Sequence, residues 1–193
     1  MDYKEKFNFV NKNVLVIMEM LQEKTMYLNE LAEKSKIKSK NNLLKNLDKL
    51  VKIKALNKEQ NKSNTFFSLN YENPVTLSIL QAINYLKFED LPFDVKKPIL
   101  EILLETKPLI AVLFGSFAKG NYTNKSDADL LIVPTTKNEN KIKEISNRYG
   151  AKIAPLFLSI EDFKSDNDSV AHILKTGYPL TGEIYFYNEL KKI

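Results

Sequence analysis

Apolar residues recur at helical spacing through the first third of the chain. Val14–Lys24, "VLVIMEMLQEK", predicts a buried-type helix. "YLNELAEKSKIKSKNNLLKNLDKLVKIKAL" then predicts two helices around a short turn near Lys36–Ser39. Leu28, Leu31 and Ala32 mark the first of these. Leu43, Leu44, Leu47, Leu50 and Val51 mark the second at i, i+1, i+4, i+7 and i+8, and Ser39 suits its N-cap. "ALNKEQNKSNTFFSLN" predicts a strand, a polar tip over Asn57–Asn64 and a returning strand over Thr65–Leu69. In "NPVTLSILQAINYLKF", Pro74 opens a helix with Leu77, Leu80, Ile83 and Leu86 on one face.

Beyond a breaker at Glu89–Pro92 the pattern alternates. A helix is expected over Val95–Thr106, strands over Leu109–Phe114 and Asp129–Val133, a helix over Glu139–Tyr149 and a strand over Lys152–Leu158. Such alternation implies an α/β sheet. The expected organisation is α+β followed by α/β, in three parts: residues 1–72, a linker helix over 73–90, and residues 91–193.

Charge divides the chain in the same place. Residues 1–74 hold 14 lysines against 9 acidic residues, whereas residues 75–193 hold 15 basic against 15 acidic. Lys34–Lys62 alone carries 10 lysines against Asp48 and Glu59. A cluster of that sign implies a polyanionic partner. On the predicted second helix, the face opposite the apolar stripe holds Asn41, Asn42, Lys45, Asn46, Lys49 and Lys52; Lys58 and Lys62 lie on the hairpin. Lysine reaches phosphates, and asparagine can pair bidentately with an adenine edge in the major groove. The element order resembles winged helix-turn-helix domains of transcription regulators over roughly residues 8–71, which implies double-stranded DNA as a partner.

The chain has no cysteine, so disulfides, thiolate metal sites and a cysteine nucleophile are excluded. No apolar run approaches the roughly 18 residues of a membrane span, and the first residues lack a signal-peptide pattern. A cytoplasmic location is expected.

The chemistry concentrates in Leu113–Val133, "LFGSFAKGNYTNKSDADLLIV". Asp127 and Asp129 are two apart on a predicted strand, so both carboxylates point to one face. Like charges that close call for a cation, and oxygen ligands without nearby Cys or His suit Mg²⁺ together with phosphates. Gly115 permits close backbone approach, and Ser116 adds a hydroxyl beside the amides of a short helix. A phosphate cradle facing a divalent-metal site outlines a nucleoside triphosphate site.

"FGSFAKGNYTNKSDADLLIV" resembles the signature of the polymerase-β-like nucleotidyltransferase superfamily in its minimal form, over about residues 92–193. The tail "ILKTGYPLTGEIYFY" resembles the ending of small archaeal and bacterial members, often fused to a helix-turn-helix. The resemblance implies a mixed β-sheet flanked by helices and transfer of a nucleoside monophosphate from a triphosphate to a hydroxyl acceptor. It implies that Gly115, Ser116, Lys119 and Ser126 contact the nucleotide, with lysine at 119 where arginine is commoner. It further implies that Asp127 and Asp129 are catalytic and hold Mg²⁺ (or Mn²⁺).

One part departs from the pattern. Active members carry a third carboxylate on the next strand, and here that strand is "AKIAPLFLS", with Ala154 where the acid belongs. Glu161 and Asp162 follow it, roughly 20 Å beyond Ala154 at an extended rise of about 3.3 Å per residue. Two readings therefore stand side by side. One is a transferase. The other is a DNA-binding regulator whose C-terminal domain only binds nucleotide or a partner, an antitoxin-type module included; a homodimer or a separate partner protein fits either. His172, the lone histidine, reads as a structural or solvent-exposed residue of a short helix.

Overall fold

The computed structural model of the chain describes residues 10–135, 139–150, 153–165 and 167–193. The first nine residues of the expected N-terminal domain and Lys152 of the expected last strand lie outside them. The chain forms two units, residues 1–83 and 84–193.

In the first unit, α1 (Lys12–Glu23) starts where the Asn11 side chain accepts hydrogen bonds from the amides of Asn13 and Val14 at 3.0 and 3.1 Å. It buries Val14, Ile17, Met18 and Leu21, one helical face. A two-residue strand β1 (Met26–Tyr27) leads into α2 (Leu28–Lys34). Helix α3 (Lys40–Lys52) is capped by Ser39, as its sequence predicts, and buries Leu43, Leu47 and Leu50, leaving Leu44 and Val51 half-buried. Strands β2 (Leu56–Gln60) and β3 (Thr65–Leu69) pair antiparallel from Leu56↔Leu69 to Gln60↔Thr65. β1 adds to the other side of β3, giving the order β1-β3-β2.

The turn out of α3 is strained. The Lys54 amide donates to Val51 O and the Ala55 amide to Leu50 O, both at 2.9 Å, the paired bonds of a Schellman ending. That motif needs a left-handed residue after the cap, and Lys54 takes it with φ 59°. Lys54→Gly is therefore expected to stabilise this unit by about 0.5–1 kcal/mol, read as a rise of several degrees in the melting temperature.

Helix α4 (Pro74–Glu89) crosses the division between the units. Early in it, Thr76 Oγ1 donates to Ala55 O within the first unit; later, Asn84 Nδ2 donates to the Tyr187 hydroxyl within the second, at 2.9 Å.

The second unit continues with α5 (Phe93–Thr106), β4 (Ile110–Phe114), the one-turn helix α6 (Gly115–Lys119), β5 (Ala128–Val133), α7 (Glu139–Tyr149) and β6 (Ile153–Phe157). After these come α8 (Ile160–Phe163), α9 (Asp168–Thr176), β7 (Tyr178–Thr181) and α10 (Glu183–Leu190). Its sheet runs β6-β5-β4-β7, with β5 and β6 parallel across α7 and the other pairs antiparallel. This mixed sheet with flanking helices fits a minimal nucleotidyltransferase fold. One face of β5 buries Ala128, Leu130 and Ile132. Leu130 and Ile132 pack with Ile102 of α5 and with Ile142 and Ile145 of α7. Ala128 clusters with Leu113, Phe117, Ile99 and Tyr178. By strand alternation Asp129 projects to the other face. Among the described residues no helix is long and apolar enough to cross a membrane.

Candidate functional site

The site is built where β4 ends and β5 begins. Phe114 stands opposite Asp129 in the antiparallel register, so the Asp129 carboxylate comes down on the residue after Phe114, which is Gly115. The fit leaves no room for a side chain. A Cβ at Gly115 would lie 1.9 Å from Asp129 Oδ2, and the backbone there has φ +71°. Gly115→Ala is thus expected to displace Asp129 and to cost about 1–3 kcal/mol in backbone strain alone. Thermal unfolding would report it.

Asp127 is exposed and immediately precedes β5 instead of lying within it, and Asp129 is half-buried. Burial, and after it the charge of Asp127, raises the Asp129 pKa above the usual carboxylate value. A carboxylate held against its own charge in this way is suited to a cation. Ser116 lies half-buried in the first turn of α6 and Lys119 is exposed in its last. The Ser126 hydroxyl accepts from the Thr123 amide at 2.9 Å, so it closes a turn just ahead of Asp127.

In the parallel pairing of β5 and β6, Ala154 is the register partner of Asp129, so its Cβ lies on the carboxylate's face of the sheet. Glu161 and Asp162 are in α8, past Phe157, which pairs with Ile132 at the other end of β5. Asp162 Oδ2 accepts from Ser159 Oγ at 2.7 Å and serves the cap of α8. Among the described residues there is no group of three His, Cys, Asp or Glu side chains that could hold a metal. The donor set is two carboxylates. It fits Mg²⁺ that draws its remaining ligands from water and phosphate.

In the first unit, Asn41, Asn42, Lys45, Lys49 and Lys52 are exposed on α3, with Lys58 on β2 and Lys62 at the hairpin tip. None of these lysines is in an ion pair among the described residues, whereas Lys24 and Lys34 close on Glu30 at 2.7 and 3.0 Å. Asn46 departs from the expectation. It is 4% exposed, donates to Asn42 O at 2.7 Å and accepts from Asn11 Nδ2 at 3.1 Å. Those bonds explain an amide between Leu43 and Leu50 on the buried stripe, and they take it away from any base edge.

Periodicity also missed Tyr122, whose ring stacks on that of Phe117 with centroids 4.4 Å apart and planes 12° from parallel. A pair formed across a helix end and the left-handed Gly120 follows no repeat. His172 is exposed on α9, in keeping with the solvated role expected of it.

A Methanocaldococcus jannaschii protein named "Putative protein adenylyltransferase" is 41% identical over 63 residues, 31% of this chain and 63% of the relative. The chain thus spans less than two thirds of that relative's length. A chain from a crystal structure of a toxin–antitoxin with AMP-PNP shares 15% identity at a TM-score of 0.37. That match covers 50% of this chain and 84% of the other, and it decides nothing about fold or site. Residues 97–183, the segment that contains Gly115, Ser116, Asp127 and Asp129, match the family model of Polymerase beta, Nucleotidyltransferase, and support that superfamily for the second unit.

Proposed function

We propose that the second unit binds a nucleoside triphosphate with a divalent cation and is a nucleotidyltransferase-type domain of low turnover. The observation that carries this reading is the Asp129 carboxylate lying against Gly115, within a segment that matches the family model. In this reading the Gly115 backbone and the Ser116 hydroxyl hold the triphosphate, and Lys119 adds positive charge beside them. Asp127 and Asp129 would hold Mg²⁺ or Mn²⁺, which when bound neutralises charge and aligns the phosphates. An acceptor oxygen forms a bond to the α-phosphorus, pyrophosphate leaves, and the hydroxyl proton passes to water, because alanine at 154 offers no carboxylate to receive it. The name of the M. jannaschii relative supports an adenylyl group as the unit transferred and a protein as its acceptor.

The position of Ala154 also favours a second reading, in which the domain binds nucleotide without turning it over and the chain acts as a regulator. For the first unit we infer a winged helix-turn-helix that binds duplex DNA, supported by the exposed lysines of α3 and the hairpin, which form no ion pair among the described residues.

Calorimetry tests the nucleotide reading. ATP affinity is expected to fall at least about tenfold when EDTA replaces Mg²⁺, and to fall similarly in Asp127→Ala or Asp129→Ala, because carboxylates and phosphates repel without a cation. Equal affinity with and without EDTA would sink it.

A further inference from the structure

We propose that Tyr122 is a positioning residue: stacked on Phe117, it holds the connector from the Gly115–Ser116 turn to the acidic pair in the shape that sets Asp127 beside Asp129. The proposal rests on the nucleotide-site reading and names a part of that site which neither the signature nor the family match assigns.

Asn121 to Lys125 are all exposed, and a surface connector of this kind is ordinarily mobile. Here it is tied three times. The Asn121 amide donates to Ser116 O at 3.1 Å, at the foot of the connector. The Tyr122 ring lies almost parallel to that of Phe117. Thr123 and Ser126 then close a turn: the Thr123 amide donates to Ser126 Oγ and the Ser126 amide to Thr123 O, each at 2.9 Å, while the Lys125 amide reaches Thr123 Oγ1 at 3.3 Å. The next residue is Asp127.

The middle tie links this connector to the core. Phe117 is 5% exposed and belongs to the cluster containing Leu113 of β4 and Ala128 of β5, the residue between the two aspartates. Tyr122 itself remains 36% exposed, so the core does not need it for filling. What it supplies is a fixed path. Asp127 is exposed and is repelled by Asp129, so an untied connector would let it swing outward and separate the two carboxylates. The turn also gives Ser126 a role other than nucleotide contact.

The test compares wild type with Tyr122→Ala, Tyr122→Phe and Ser126→Ala. The readouts are binding of Mn²⁺ with ATP by electron paramagnetic resonance, amide hydrogen exchange over residues 124–128, and melting temperature. Tyr122→Ala is expected to weaken Mn²⁺–ATP binding about tenfold and to speed exchange at Ser126 and Asp127, with melting nearly unchanged. Tyr122→Phe, which keeps the stack, should restore both. Ser126→Ala, which opens the turn from its other side, should behave like Tyr122→Ala. Wild-type Mn²⁺–ATP affinity in Tyr122→Ala overturns the proposal, as does an equal loss in Tyr122→Phe. Wild-type protein that takes up no Mn²⁺ with ATP overturns the nucleotide reading instead. In that case faster exchange in Tyr122→Ala still upholds the tie, and unchanged exchange overturns it.

Discussion

Ala154→Asp is expected to raise pyrophosphate release from ATP by about 100-fold or more, the low end of what a positioned general base contributes. The geometry is favourable because Ala154 is the register partner of Asp129 in a parallel pair, with its Cβ on the same face. A carboxylate there projects beside Asp127 and Asp129 without any backbone change. It would add a third metal ligand and a proton acceptor on β6, which has no acid of its own. The substitution also brings a third negative charge into a half-buried cluster, so it should destabilise the protein in EDTA. Mg²⁺ should then reverse the loss, because a ligand that binds only the folded state stabilises it. Labelled ATP with Mg²⁺ or Mn²⁺ reports turnover, and melting with and without Mg²⁺ reports the ligand set. The gain should vanish in the Asp127→Ala, Ala154→Asp double variant. An Ala154→Asp protein with the wild-type rate and an unaltered Mg²⁺ response would contradict the assignment of this cleft.

The contrast between Ala154 and Asn46 shows what a sequence can and cannot carry. Elements were legible where burial imposes a period. The stripe of α3 and its Ser39 cap appear where the apolar spacing puts them, and α7 has the bounds Glu139–Tyr149 that the alternation predicts. The place of Ala154 came from the resemblance, which puts an acid at that position of the next strand, and β5 and β6 do pair in parallel with Ala154 opposite Asp129. Asn46 defeats the logic of the period. A polar residue on a helix is read as solvent-facing, yet its amide is satisfied inside by Asn42 O and Asn11, and the second of these lies 35 residues away. Two-residue β1 is too short for any periodic signal, and it exists because Met26 and Tyr27 pair with Phe67 and Phe66 of β3. The Phe117–Tyr122 stack depends on the left-handed Gly120 folding the connector back on α6. Each miss is a contact that follows no repeat of apolar positions.

Replacing Lys45 and Lys49 together with glutamate is expected to weaken duplex DNA binding by more than about 100-fold at low salt. Each neutralised phosphate releases counterions and contributes about 0.9 to the slope of log affinity against log salt, so removing two lysines should flatten that slope by about 2. The two glutamates add repulsion, which deepens the loss. Both positions are exposed on α3, and the buried residues Leu43, Leu47 and Leu50 are untouched, so the helix should stay folded by circular dichroism. Asn46→Ala supplies the complementary control. It removes both side-chain bonds of that amide, the one given to Asn42 O and the one accepted from Asn11 Nδ2, at a cost of about 1–3 kcal/mol in stability. Affinity per folded molecule should remain that of the wild type, because a buried amide reads no base. A gel-shift titration across salt concentrations separates the two effects. An unchanged dissociation constant in the Lys45→Glu, Lys49→Glu variant would remove DNA from the function of this face. A loss of sequence preference in folded Asn46→Ala would instead mean that its amide leaves the interior when DNA binds.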